Sequence, residues 1–426
     1  MKFKNCRVGW VIGVLICIIW AGGASGEGEI QGAGTISGDI FGKRGSFYHV
    51  FLSVAGMVED NIFNSSEEKT SDFITVISPG IQLAFPATRS QPASIDTDTT
   101  TPGGLVYDRF EEPYFQQFQS YFTYSPNFLF YADNSDENTI NHYAQASLHV
   151  NFRGGLSINL AERFSQDFDQ YQSGVSTQTD TFRSNLINLI ATYEITEKML
   201  FRGDLSSFLV SYTDDKNEER NRIDNSASGY LYFKVKSKTA LFFQYNFIDI
   251  NYDEDSVADS KEHRLLAGMY WNITEKTRGS FRAGYGMREF DDPQIEDGEH
   301  LVFEANFDYQ FTPKTSVGFG AFRRDEETPD LSYNYLITTG ANAAYRQSIA
   351  EDVFFELGLL YRNEDYQGSG AVGRRDHYFS VTPSLRYDFR DWLSASVSFE
   401  LRKRDSDQEA SDYIGNILML KLTFGM

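Results

Sequence analysis

The fold is decided by residues 377–424. Phe379, Val381, Pro383, Leu385, Tyr387 and Phe389 alternate with Ser380, Thr382, Ser384, Arg386 and Asp388. After the turn Arg390-Asp391, Leu393, Ala395, Val397, Phe399 and Leu401 alternate with Ser394, Ser396, Ser398, Glu400 and Arg402. A last run sets Leu418, Leu420, Leu422 and Phe424 against Lys421 and Thr423. Successive side chains leave a strand on opposite faces, so each run is a strand with one apolar and one polar face. The apolar face suits either a sandwich core or lipid, and the rest of the chain decides between them.

The same rhythm fills the chain. It starts with Val50, Leu52, Val54 and Val58, then Phe73, Thr75, Ile77, Ile81 and Leu83. From residue 115 to 424 it predicts sixteen further strands, making about 18 in all, the even number expected of a bacterial outer-membrane barrel. The connections sort into two kinds. Gly154-Gly155, Thr196-Glu197-Lys198, Ser237-Lys238, Thr274-Glu275-Lys276, Pro313-Lys314, Ala350-Glu351 and Arg390-Asp391 are short. Those at 214–224, 253–262, 291–300 and 368–376 are longer and charged. Short turns at one end and long loops at the other belong to a barrel, and a sandwich has no reason to sort them so. Trp271, Trp392, Tyr193, Phe201, Tyr309 and Phe311 adjoin the short turns, where an aromatic girdle would meet a bilayer interface. Lipid cannot satisfy a free strand edge, so such a sheet has to close. The expected fold is therefore all-β: one transmembrane antiparallel barrel of about 18 strands, with short periplasmic turns and longer extracellular loops.

Residues 1–26 read as a secretory signal. Lys2, Lys4 and Arg7 precede the 13-residue apolar run 8–20, too short to span a bilayer, and Ala24-Ser25-Gly26 offers small residues for cleavage. Both cysteines, Cys6 and Cys17, fall inside it, so no disulfide scaffold is expected beyond it. Residues 27–45 are Gly-rich and unpatterned, and read as a flexible periplasmic tail; residues 46–426 form the barrel unit. Within it, residues 86–113 break the rhythm with the polar stretch Thr97-Asp98-Thr99-Thr100-Thr101-Pro102-Gly103-Gly104, read as a long mobile insertion on the periplasmic side. The formal charge of -22 argues against a nucleic-acid partner, and 36 Phe and 25 Tyr argue against disorder.

Several stretches resemble the beta-barrel porin-2 family of outer-membrane proteins. They are Asp60-Asn61-Ile62-Phe63, Ser71-Asp72-Phe73-Ile74-Thr75 with Ser78-Pro79-Gly80, Gly284-Tyr285 with Arg288-Glu289-Phe290-Asp291-Asp292, and Phe311-Thr312-Pro313-Lys314-Thr315-Ser316. The resemblance implies an outer-membrane channel and, through the family's association with it, export of extracellular polysaccharide. It implies outer-membrane lipid and lipopolysaccharide, the barrel assembly machinery and periplasmic polysaccharide-export proteins as partners. It brings no catalytic motif, metal or cofactor. The end Phe424-Gly425-Met426 departs from the family's terminal aromatic.

The face opposite the lipid-facing side chains would line a lumen. On it stand Arg278, Arg282 and Arg288, beside Glu304 and Asp308 on the next strand. Glu356, Arg362, Arg386, Asp388, Glu400 and Arg402 add mixed charge, and Tyr230, Tyr232 and Tyr270 add apolar bodies with hydroxyl handles suited to a sugar ring. Two readings of the charged rows stand together: a cross-strand ladder that holds register, and a solute path. Alternatives to polysaccharide export are a general diffusion porin and a plugged structural or adhesive barrel. None of the six histidines has a serine nucleophile or a zinc-ligand partner at a recognisable spacing, so no enzyme is expected.

Overall fold

A computed structural model describes residues 46–88, 117–169, 180–213, 215–254, 256–274, 276–328, 330–368 and 373–425. The signal, the tail and most of the insertion read from the sequence lie outside these residues. The strands are β1 (Ser46–Glu59), β2 (Asp72–Thr88), β3 (Phe118–Tyr131), β4 (Thr139–Asn151), β5 (Leu156–Asp169) and β6 (Asp180–Thr196). Next come β7 (Met199–Tyr212), β8 (Arg222–Lys236), β9 (Thr239–Tyr252), β10 (Ser260–Thr274), β11 (Thr277–Phe290) and β12 (Gly298–Thr312). The series ends with β13 (Thr315–Glu326), β14 (Tyr335–Ala350), β15 (Val353–Gln367), β16 (Arg375–Arg390), β17 (Leu393–Ser406) and β18 (Tyr413–Gly425). Each pairs antiparallel with its sequence neighbours, and β1 pairs with β18 from Phe51↔Gly425 to Glu59↔Ile417. The sheet is a closed 18-stranded barrel, which leaves the wall no edge strand.

Alternation sets what faces out. Val397, Phe399, Leu418, Leu420 and Leu422 are exposed on the outer face, as are Leu205, Phe243, Leu265, Phe281 and Phe319. In a soluble protein this much exposed apolar surface would be a liability; around a barrel it is the lipid belt. Tyr193, Phe201, Phe311 and Trp392 are exposed at the short-turn end. Trp271 is less so, because it packs over Gly279, where an added Cβ would come within 2.6 Å of its ring.

The short turns share a local design. In six of the hairpins the ladder shifts by one residue just before the turn, as between Glu194 and Thr196 or Gln310 and Thr312. That extra residue is a bulge, which increases strand twist at the rim. Thr196 Oγ1 accepts from the backbone N–H groups of Lys198 (3.2 Å) and Met199 (3.0 Å), and Thr312 Oγ1 accepts from Lys314 (3.1 Å). A threonine hydroxyl two residues upstream thus closes the turn. The β4–β5 turn instead uses Gly154 and Gly155 at φ +104° and +84°, a region glycine enters without a Cβ penalty.

The inner face as candidate functional site

Inner-face residues occupy the positions between the exposed apolar ones. Arg278, Arg282 and Arg288 stand on β11, Glu304 and Asp308 on β12, and Glu356 and Arg362 on β15. Arg386 and Asp388 stand on β16, Glu400 and Arg402 on β17, Tyr230 and Tyr232 on β8, and Tyr270 on β10. All alternate with outward apolar neighbours, such as Phe281, Leu301, Leu359, Leu385 and Phe399.

The structure joins some of these residues and separates others. Arg278 lies opposite Asp308 in the ladder, and Arg282 opposite Glu304. The Arg282 guanidinium donates to Glu304 at 2.5 Å and to Gln244 Oε1 at 3.0 Å. Arg288 has Gly298 opposite it and reaches Glu327 instead, at 2.6 Å. Glu356 faces Arg346 across β14–β15 at 3.1 Å. Arg362 pairs with Glu364 at 3.2 Å, and Arg386 with Asp388 at 3.0 Å. Glu400 accepts from the Ser380 hydroxyl at 3.2 Å, while Arg402 donates to Glu59. Tyr230 and Tyr232 stack at 6.0 Å with their planes 9° apart, beneath Arg202 at 4.9 Å from the Tyr230 ring. All three tyrosines named in the sequence are buried.

Exposure divides the inner face along the barrel axis. Toward the turns, Arg278 and Asp308 are exposed and Arg386 and Asp388 half-buried. Toward the loops, Arg288, Arg402 and Arg404 are buried with Glu262, Asp325, Glu327 and Glu364. Removing such charges from water is costly, and each one here lies against an opposite charge. Arg264 donates to Glu262 and, at 2.8 Å, to Asp325 Oδ1; His300 Nε2 meets the same oxygen at 3.0 Å. Glu262, His300 and Asp325 bring candidate metal-ligating atoms within 4.8 Å of one another. Arg264 is hydrogen-bonded to both carboxylates, so a positive charge already sits where a cation would.

Sequence reading missed much of this cluster: Glu59, Arg202, Asp204, Arg222, Asp224, Glu262, Arg264, His300, Asp325 and Glu327. One signal was available. Arg202/Asp204, Arg222/Asp224 and Glu262/Arg264 are opposite charges two residues apart on a strand, hence on one face, and Arg374/Asp376 repeats the spacing at the entry to β16. The other half of the wall differs. Between β3 and β6 the buried inner positions are mainly amides and hydroxyls: Thr123, Asn141, Gln145, Asn159, Ser184 and Asn188.

A closed 18-stranded wall with a lipid belt and a polar interior defines a transmembrane β-barrel of the porin class. The chain belongs to the family described as Putative beta-barrel porin 2, whose match covers residues 114–425. That family places the protein in the bacterial outer membrane as a porin-like barrel. The match spans β3 to β18; the resemblance read between Asp60 and Gly80 lies ahead of it. Among curated proteins, none matches. Similar solved structures include OccK2 (OpdF) of Pseudomonas aeruginosa, 9% identical over 89% of this chain and 98% of that one, TM-score 0.47. OpdK of the same organism is 9% identical over 89% and 99%, TM-score 0.45. The FrpB iron transporter of Neisseria meningitidis is 8% identical over 95% and 86%, TM-score 0.45.

Proposed function

We propose that the barrel passes a polar, polyhydroxylated solute across the outer membrane, and that this solute is an exported polysaccharide. The observation that supports this reading is an inner face rich in hydrogen-bonding groups: amides and hydroxyls on β3–β6, which are buried in the structure, and toward the turn end exposed or half-buried charges that are largely paired among themselves. Sugar hydroxyls exchange hydrogen bonds with the accessible groups of such a face. Paired charges present little net field, so they neither trap nor repel a neutral chain. The process would be passive, with direction set by periplasmic export proteins and no covalent step. A second reading, diffusion of small solutes, is favoured by the accessible Arg278 and Asp308 at the turn end.

Deleting the gene and measuring polysaccharide inside and outside the cell tests the first reading. Export predicts that polymer accumulates within the cell while its synthesis continues. Normal surface polysaccharide in the deletion strain would sink that reading and leave small-solute diffusion. Conductance of the purified barrel in a planar bilayer tests both against a plugged structural barrel.

A further inference from the structure

At the loop end of β12 and β13 the wall departs from its regular pattern. The β11–β12 ladder continues to Arg288↔Gly298, so β12 is a strand up to Gly298. The β12–β13 ladder stops five residues short, at Phe303↔Arg323. Meanwhile β13 stays paired with β14 to Glu326↔Leu336, and β14 with β15 to Tyr335↔Gln367. The tip of the β13–β14 hairpin has therefore left β12. Burial says where it went. A wall strand alternates, but here Asp325, Glu326, Glu327 and Thr328 are all buried, and so are Tyr335, Leu336, Ile337 and Thr338. Both faces of the hairpin are covered, so it has folded inside the ring of strands.

One face of the tip lies on the inner wall of β9–β12. Asp325 bonds to Arg264 of β10 and His300 of β12, Glu327 forms an ion pair with Arg288 of β11 at 2.6 Å, and the Tyr252 hydroxyl of β9 donates to Glu327 at 2.6 Å. Tyr335 lies under the Arg288 guanidinium at 5.1 Å, with its hydroxyl against Gly298. On the other face, Glu326 accepts from the Thr338 hydroxyl at 2.8 Å.

We propose that this hairpin is a gate with two seats: the latched seat seen here, and an open seat in which β13 zips onto the vacant edge of β12. Continuing the ladder from Phe303↔Arg323 fixes the second register: Val302 opposite Arg324, Leu301 opposite Asp325, and His300 opposite Glu326. The two seats are close in energy for a physical reason. The latch is made of desolvated ion pairs, whose attraction roughly offsets their desolvation. The open seat satisfies the backbone groups along the β12 edge, turns Asp325 to the outer face beside Leu301 near the loop end of the wall, and leaves Arg264 and Arg288 to water in the lumen. Passage through the barrel requires the second seat, because the first places the tip within the mouth. This inference rests on the barrel being a conduit.

A disulfide reads the second register directly. In the latched seat Asp325 points to Arg264 while Leu301 is exposed on the outer face, so cysteines at the two sites cannot meet. In the zipped seat they are directly opposite, about 4.5–5.5 Å apart at Cα, which a disulfide spans. The full-length Leu301→Cys/Asp325→Cys protein, oxidised in membranes, should form an intramolecular cross-link that shifts its mobility on a gel. In a planar bilayer the cross-linked barrel should hold one high unitary conductance, and reductant should restore fluctuation between two levels. Arg288→Gln, which weakens the latch and leaves β12 and β13 intact, should raise the time spent at the high level. A folded double variant that never cross-links would overturn the proposal, as would a cross-linked barrel with the same levels and fluctuation as an unmodified protein that conducts. If Arg288→Gln fails to assemble, the cross-link alone decides. The gel needs no conduction, so a cross-link in a non-conducting barrel would overturn the conduit reading and keep the two seats.

Discussion

Arg402 of β17 donates to Glu59 of β1 across the full width of β18, joining residues 343 positions apart. Both side chains are buried. The pair sits at the closure of the barrel, where the first strand meets the last and chain connectivity gives no help. It fastens that seam from inside, beyond the β1–β18 backbone ladder.

Removing one member should therefore destabilise more than removing both. Glu59→Gln or Arg402→Met leaves a buried group without its counter-charge, a loss of about 3–5 kcal/mol for such a pair. The double variant Glu59→Leu/Arg402→Met should recover much of it. Urea unfolding in detergent micelles, followed by the mobility difference between folded and unfolded barrel, gives all three values. A double variant no more stable than the singles would show that the pair does not act as a unit.

Leu420 is the most exposed of the β18 apolar residues, at 59%. Its ladder partners Gly56 and Val397 place it well inside the span of both neighbouring strands. Arg at this position should cost about 2–4 kcal/mol if it lies near the bilayer midplane. Refolding into lipid vesicles measures this, and a neutral result would remove Leu420 from the lipid belt.

Orientation follows from the sorted connections. Glu218, in the short 3-10 segment Asp215–Arg220 between β7 and β8, belongs to the loop end; Lys314, between β12 and β13, belongs to the turn end. A cysteine at Glu218 should react with an impermeant thiol reagent in intact cells, and one at Lys314 should react only after lysis. The reverse pattern would invert the barrel in the membrane.

Asp308 is exposed on the inner face opposite Arg278. If ions traverse the lumen, Asp308→Lys should shift the reversal potential toward anion preference without altering assembly. Glu299→Lys serves as a control, since that residue faces outward beside the Tyr285 hydroxyl, which donates to it at 2.6 Å. Equal shifts in both variants would place Asp308 away from the ion path.

Strand number, face assignment and turn type were legible in the chain because each is a local property. Phe399 and Glu400 must leave a strand on opposite sides, and Thr312-Pro313-Lys314 carries its own hydroxyl to close its own turn. Which charge meets which was not legible. Arg282 and Glu304 meet because their strands are neighbours in register, a relation the hairpin already implies. Arg288 has the same residue type and the same parity six positions on, yet its partner is Glu327, two strands away on a hairpin that has left the wall. Alternation assigns Arg288 to the interior but says nothing of how far a neighbouring strand stays paired. Curvature of the closed sheet brings β9 to β12 around a common space, and the early end of the β12–β13 ladder lets Asp325 and Glu327 enter it. Period-two patterning acts through adjacent residues along one strand, whereas ion pairing acts through space; only barrel closure converts one into the other.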